Sequence, residues 1–152
     1  MNGSLLTRVR FRIALWCQAR SMPLRVTPGR PLAWVLSFAG RAPSATYAGL
    51  PTEYILKHVA RVTRRPYLMR ERRCLRQGLL AFRFMKAAGH DVELHFGIDR
   101  TRRQAIRAHC WIVHNGRVVL NPPDADTQPI FVHRGVASVT NEAANLKASA
   151  FR

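Results

Sequence analysis

Residues 91–99, DVELHFGID, alternate strictly: Val92, Leu94, Phe96 and Ile98 are apolar, and Glu93, His95 and Gly97 stand between them. That period of two marks a strand with one face buried. The preceding segment, RRCLRQGLLAFRFMKAAGH, follows a different period. Cys74, Gly78, Leu79, Phe82 and Met85 share one stripe, which predicts a helix over about 73–88 with Gly89 as its stop. After the strand comes a charged connection, TRRQAIR, and then a hairpin, AHCWIVHNGRVVLNPP, from 108 to 123.

The first half of the chain is less regular. Leu5, Val9, Ile13 and Trp16 recur at helical spacing among arginines at 8, 10, 12 and 20, predicting a helix over residues 4–20. Either this stripe packs on the core, or the helix lies as a basic amphipathic element on an anionic membrane or an acidic partner. Residues 21–52 are broken by proline and glycine, and PLAWVLSFAG between the breakers allows one short helix. Another helix begins after Pro51, with Thr52 as its cap and Glu53 in its first turn, and ends before Pro66. The reading is of a helical and looped region, 1–66, packed on an α+β core, 67–152, within one compact domain.

The totals narrow the partners. The 152 residues carry a net charge of +17, nearly all of it arginine. Such a bias fits a nucleic-acid or anionic-membrane partner, or equally a GC-rich genome that writes arginine wherever a cation serves. The charge is spread out and lacks the aromatic interleaving of single-strand binders, so no specific nucleic acid is expected. Cys17, Cys74 and Cys110 form an odd set without a CxxC pair, which argues against a disulfide framework and fits a reducing, cytoplasmic setting. The N-terminal arginines are interspersed rather than leading, unlike a signal peptide, and no apolar run reaches the roughly 18 residues of a spanning helix. His58, His90, His95, His114 and His133 lack HxxxH or HExxH spacing, so neither a metal nor a cofactor is expected.

The chemistry gathers at three residues. Cys74 sits at the start of its helix, where the dipole and free N–H groups favour a thiolate, and Arg72, Arg73 and Arg76 add positive charge. His109 and Asn121 bracket the hairpin. A two-residue turn at Asn115-Gly116 sets His109 against Pro122 and turns Asn121 to the other face. A three-residue turn, His114-Asn115-Gly116, pairs His109 directly with Asn121, with Cβ atoms about 4.5–5.5 Å apart. Only that second register lets the asparagine amide hold the imidazole, so a functional site predicts it. Cys74 is then the nucleophile, His109 its base, and Asn121 the group that orients the ring. Cys110 points away from His109 and reads as core. Asp124 and Asp126 read as a solvated loop, or as a substitute for Asn121.

A cysteine at a helix start with His and Asn on neighbouring strands is the arrangement of papain-like cysteine hydrolases and transglutaminases. The runs CLRQGLLAFRFMKAAGH, VELHFGI and AHCWIVHNGRVVLN resemble, in order and spacing, the transglutaminase-like leader peptidases of lasso-peptide biosynthesis, including their stand-alone form. Two positions depart from that pattern: Asn121 stands where Asp is usual, and AHCW where AHAW is common. The resemblance implies a papain/transglutaminase-like α+β fold and a cysteine peptidase that removes the leader of a ribosomally made precursor. It also implies a separate leader-recognition protein and an ATP-dependent macrolactam cyclase as partners. Two other readings stand beside it: another acyl-transfer or amide-hydrolysing enzyme of the same fold, and a non-enzymatic basic nucleic-acid-binding module.

Overall fold

The computed structural model describes residues 4–27, 29, 31–40, 46–64, 73–99 and 107–135. Arg72 and the expected connection at 101–106 lie outside them. Four helices precede a sheet: α1 Leu5–Arg25, α2 Leu32–Gly40, α3 Thr52–Val62 and α4 Arg73–Ala87. The strands are β1 Val92–Asp99, β2 Arg107–His114, β3 Arg117–Leu120 and β4 Thr127–His133. The sheet is antiparallel in the order β3-β2-β1-β4.

Helix α4 is the centre. From Arg76 to Phe82 every residue is buried, because α1, α2 and α3 pack on one side of it and the sheet on the other. Phe11 of α1 anchors the helical side, meeting the Phe84 ring edge-on at 5.3 Å, with Tyr47 and Tyr54 around it. Gln77 Nε2 donates to Thr63 Oγ1 at 2.9 Å, satisfying a buried amide and tying the end of α3 to α4. On the sheet side, a Cβ at Gly78 would stand 2.9 Å from Cys110 Sγ and 3.0 Å from Leu94 Cδ1. Glycine is what lets β2 and β1 approach the helix so closely. Gly89 ends the helical turn after α4 with a φ of +87°.

Three expectations change. Helix α1 runs five residues past 20, and its core stripe is Phe11, Leu15, Ala19 and Met22. Val9, Ile13 and Trp16 instead face outward. Thr52 does not cap α3: it is the first helical residue, and Pro51 precedes it without a side-chain bond. Strand β4 was not legible in the pattern at all. Pro129 interrupts it, and proline in a sheet belongs at an edge or a bulge. Here it lies at the edge, opposite Gly97, beside a shift of register between Phe96 and Gly97.

Candidate active site

The hairpin turns through Asn115-Gly116 alone, with φ of +51° and +73°, so His114 pairs with Arg117. That is the two-residue register, and the three-residue turn demanded by an imidazole–amide bond does not form. Asn-Gly is the pair best suited to two consecutive left-handed residues, and its local preference wins. A bulge then moves the pairing from Val113–Val118 to Ile112–Leu120, with Val119 as the extra residue. Beyond Leu120 the ladder stops. The edge of β2 from Arg107 to Trp111 is left unpaired by β3.

Asn121 stands at this break with a φ of +51°, a backbone state that asparagine tolerates better than most residues. Its main-chain carbonyl accepts from His109 Nε2 at 3.1 Å. Its side-chain Nδ2 donates to the Cys74 carbonyl at 3.1 Å. Asn121 therefore does hold His109, but with its backbone rather than its amide. The amide ties down the helix that carries the cysteine. This gives the departure from Asp a physical reason, since a carboxylate could only accept and would face the Cys74 carbonyl lone pairs.

Cys74, the second residue of α4, is half-buried at the open edge. Its thiol is pulled from 9 down to about 5. The largest cause is the Cys110 thiol, which donates to the sulfur; burial opposes the shift, and the Cys110 N–H, the nearby His109 and the Leu75 N–H assist it. Cys110, only 2% exposed, is pushed strongly upward by the neighbouring Cys74 sulfur and by burial. Between the two thiols, the charge belongs on the more solvated one. Neither Arg73, which is exposed, nor Arg76, which lines a groove between the helices, is among the groups that lower the Cys74 thiol.

His109 reaches the site from the other face of β2. Side chains alternate along a strand, and Cys110 faces α4, so His109 shares its face with Trp111. The two rings stack with centroids 6.1 Å apart. Opposite His109 in the ladder is Gly97, where a Cβ would stand 2.7 Å from the Gln128 carbonyl oxygen of β4 and 2.9 Å from Trp111 Cη2, so the glycine makes room for the neighbouring strand and for the indole beside the imidazole. The structure thus gathers Cys74, His109 and Asn121 at one edge. It adds Cys110, Trp111 and Gly97, which the sequence pattern assigns to packing or leaves without a role. Strict alternation from His109 signalled that Cys110 faces the helix; that it meets Cys74 there depends on the glycine at 78, one turn along.

Matching to protein families identifies the Transglutaminase-like superfamily over residues 5–132. The chain belongs to this superfamily. Neither the comparison with curated proteins nor that with solved structures gave a match. The matched span takes in α1 through nearly all of β4, so the helical half belongs to the transglutaminase-like unit together with the sheet. The family is one of cysteine proteases and acyl-transfer enzymes built on an α+β fold, which is the architecture seen here. In this transglutaminase-like chain, Asp124 and Asp126 are exposed in the turn into β4. Among the described residues no group of three His, Cys, Asp or Glu could hold a metal ion, and no helix is long and apolar enough to cross a membrane.

Proposed function

We propose that this chain is a cysteine peptidase that removes the leader from a ribosomally made precursor in lasso-peptide maturation. The observation that carries the catalytic part is the low-lying Cys74 thiol at an open strand edge, beside a histidine whose Nε2 is already engaged. The Cys74 thiolate adds to the scissile carbonyl carbon. Protonated His109 gives its proton to the departing amine as the C–N bond breaks, leaving a thioester. Water then adds with His109 taking its proton, the C–S bond breaks, and Cys74 leaves as thiolate. Backbone N–H groups at the start of α4 and along the free edge of β2 are the donors for the oxyanion. Asn121 keeps nucleophile and base in register.

The lasso-peptide assignment rests on the run of motifs from Cys74 through Gly97-Ile98 to His109 and Asn121. It carries with it a separate leader-recognition protein and an ATP-dependent macrolactam cyclase as partners. The same reading places the chain in a reducing, cytoplasmic setting, and the three free thiols support it, since they persist best where disulfides are kept reduced. The test is cleavage of a precursor peptide with the leader-recognition protein present, read by mass spectrometry. Two fragments whose masses sum to the precursor plus one water are expected, and none with Cys74→Ala. A product in which an amine has replaced water would instead assign acyl transfer to the same thioester. An intact precursor under all conditions, with Cys74 shown to be reactive, would remove the leader-peptidase reading and keep the nucleophile.

A further inference from the structure

On the far side of α4 from the sheet, α1, α3 and α4 enclose a groove of about 1080 Å³. A space of that size lies just above the range for small-molecule clefts, roughly 300–1,000 Å³, and suits a stretch of peptide. One wall is the outward stripe of α1. Ile13 is 60% exposed and Trp16 53%, with Val9 beside them. These residues share one helical stripe, yet the set that α1 buries is Phe11, Leu15, Ala19 and Met22. Apolar side chains of this size in a concave surface gain nothing from water, and a bound chain would cover them.

The interior of the groove is charged. Arg76, only 4% exposed, lines it, and its Nε and Nη1 are buried without a hydrogen-bond partner. Buried guanidinium nitrogens are almost always paired, because leaving them bare forfeits their hydration for nothing. Arg12, Arg61 and Arg64 are exposed at the same groove, and Arg20 stacks its guanidinium over the Trp16 ring at 4.5 Å. Among the described residues that line the groove none is acidic. A carboxylate entering from outside would supply an acceptor that Arg76 lacks within the described residues.

We infer that this groove is a docking site for a peptide segment bearing one or two carboxylates among apolar side chains, with a carboxylate on Arg76 and the apolar residues on Val9, Ile13 and Trp16. A flat anionic membrane offers no reach to a guanidinium this deep. A nucleic acid would meet the exposed arginines, but its phosphates carry no apolar partner for the α1 wall. Arg76 lies two residues beyond Cys74, so a segment gripped here is held close to the start of the helix that carries the thiol. The docking site stands whether or not Cys74 is a nucleophile.

The experiment uses the full chain as Cys74→Ala, so that turnover does not enter. A panel of labelled 12-residue peptides carries one or two glutamates among leucine, isoleucine and valine, and a matched panel carries glutamine instead. Binding is read by fluorescence anisotropy. At least tenfold tighter binding of the best glutamate peptides is expected. Arg76→Met should erase that preference while leaving the glutamine panel unchanged, and Ile13→Asp should weaken both panels about tenfold. If Arg76→Met fails to fold, the exposed Ile13 variant and the paired panels decide the outcome. Equal binding of the two panels, no binding by either, or binding indifferent to Ile13→Asp each overturns the inference. So would single-stranded DNA or anionic vesicles binding at this face in place of the peptides.

Discussion

Replacing Cys110 with alanine isolates the largest influence on the proposed nucleophile. In the native chain the Cys110 thiol and N–H both bond to Cys74, whose thiol lies at about 5. Alanine keeps the N–H and removes only the S–H. A hydrogen bond to a charged group contributes about 1.5–3 kcal/mol, and one pKa unit corresponds to about 1.36 kcal/mol. The S–H is a weak donor and Cys74 is only half-buried, so the lower end applies. The Cys74 midpoint should therefore rise by about one unit, to about 6. Loss of the buried sulfur should cost about 1 kcal/mol of stability, similar to deleting one methyl group. Alkylation by iodoacetamide between pH 4 and 8, followed on the Cys74 peptide by mass spectrometry with the Cys17 peptide as reference, gives the midpoint. Cys110→Ser, whose hydroxyl can donate, should stay close to wild type. An unmoved midpoint in folded Cys110→Ala would refute the argument, leaving His109 and the backbone to account for the thiolate.

Other consequences follow from the same geometry. His109→Ala should lower precursor cleavage about 10²–10⁴-fold, the usual value of a positioned proton-transfer group, and should also raise the Cys74 alkylation midpoint. Asn121→Gly keeps the carbonyl and the left-handed backbone but loses the amide, so its activity should exceed that of Asn121→Val, which strains the backbone as well; kcat from cleavage assays separates them. Gly78→Ala should destabilise by about 1–3 kcal/mol in urea melts, and less in a Cys110→Ala background, because Cys110 Sγ is the atom that the new Cβ would meet first. The Cys74 thiol lies lower in the folded chain than in the unfolded one, so its stabilising contribution is full above the unfolded value and disappears as pH falls through about 5. The gap between wild type and Cys74→Ala in urea midpoints should accordingly be wider at pH 9 than at pH 5.

The elements with a clean period were readable from the chain. Helix α4 and strand β1 have apolar positions that agree with local preference, and Gly89 ends the α4 turn where expected. Sequence and structure part where two influences compete. The stripe on α1 has helical spacing on both faces, and only packing against Phe84, Tyr47 and Tyr54 decides that Phe11 goes inward. The register that an imidazole–amide bond requires differs from the one that the Asn115-Gly116 turn imposes. Strand β4 was hidden because Pro129 is acceptable only at an edge, and edge positions are fixed by topology. The residues at the site were legible as a set, because helix starts and strand ends concentrate chemistry. Their bonds were not: that Asn121 serves His109 through its backbone and Cys74 through its amide depends on a bulge at Val119 that no spacing rule announces.

The shortness of β3 has a consequence for how such a site can exist in a sheet at all. Two more paired residues would bring the Cys110 N–H into the ladder and take it from the Cys74 sulfur. Leu120 is followed by a left-handed Asn121 and then by Pro122 and Pro123, neither of which has an N–H to offer a neighbouring strand. The two prolines act as a stop, holding the sheet unfinished by about one pair of residues so that a sulfur can occupy the place of a strand. Lengthening the hairpin at its tip should leave that opening untouched, while replacing the proline pair with β-branched residues would invite the sheet to close over it.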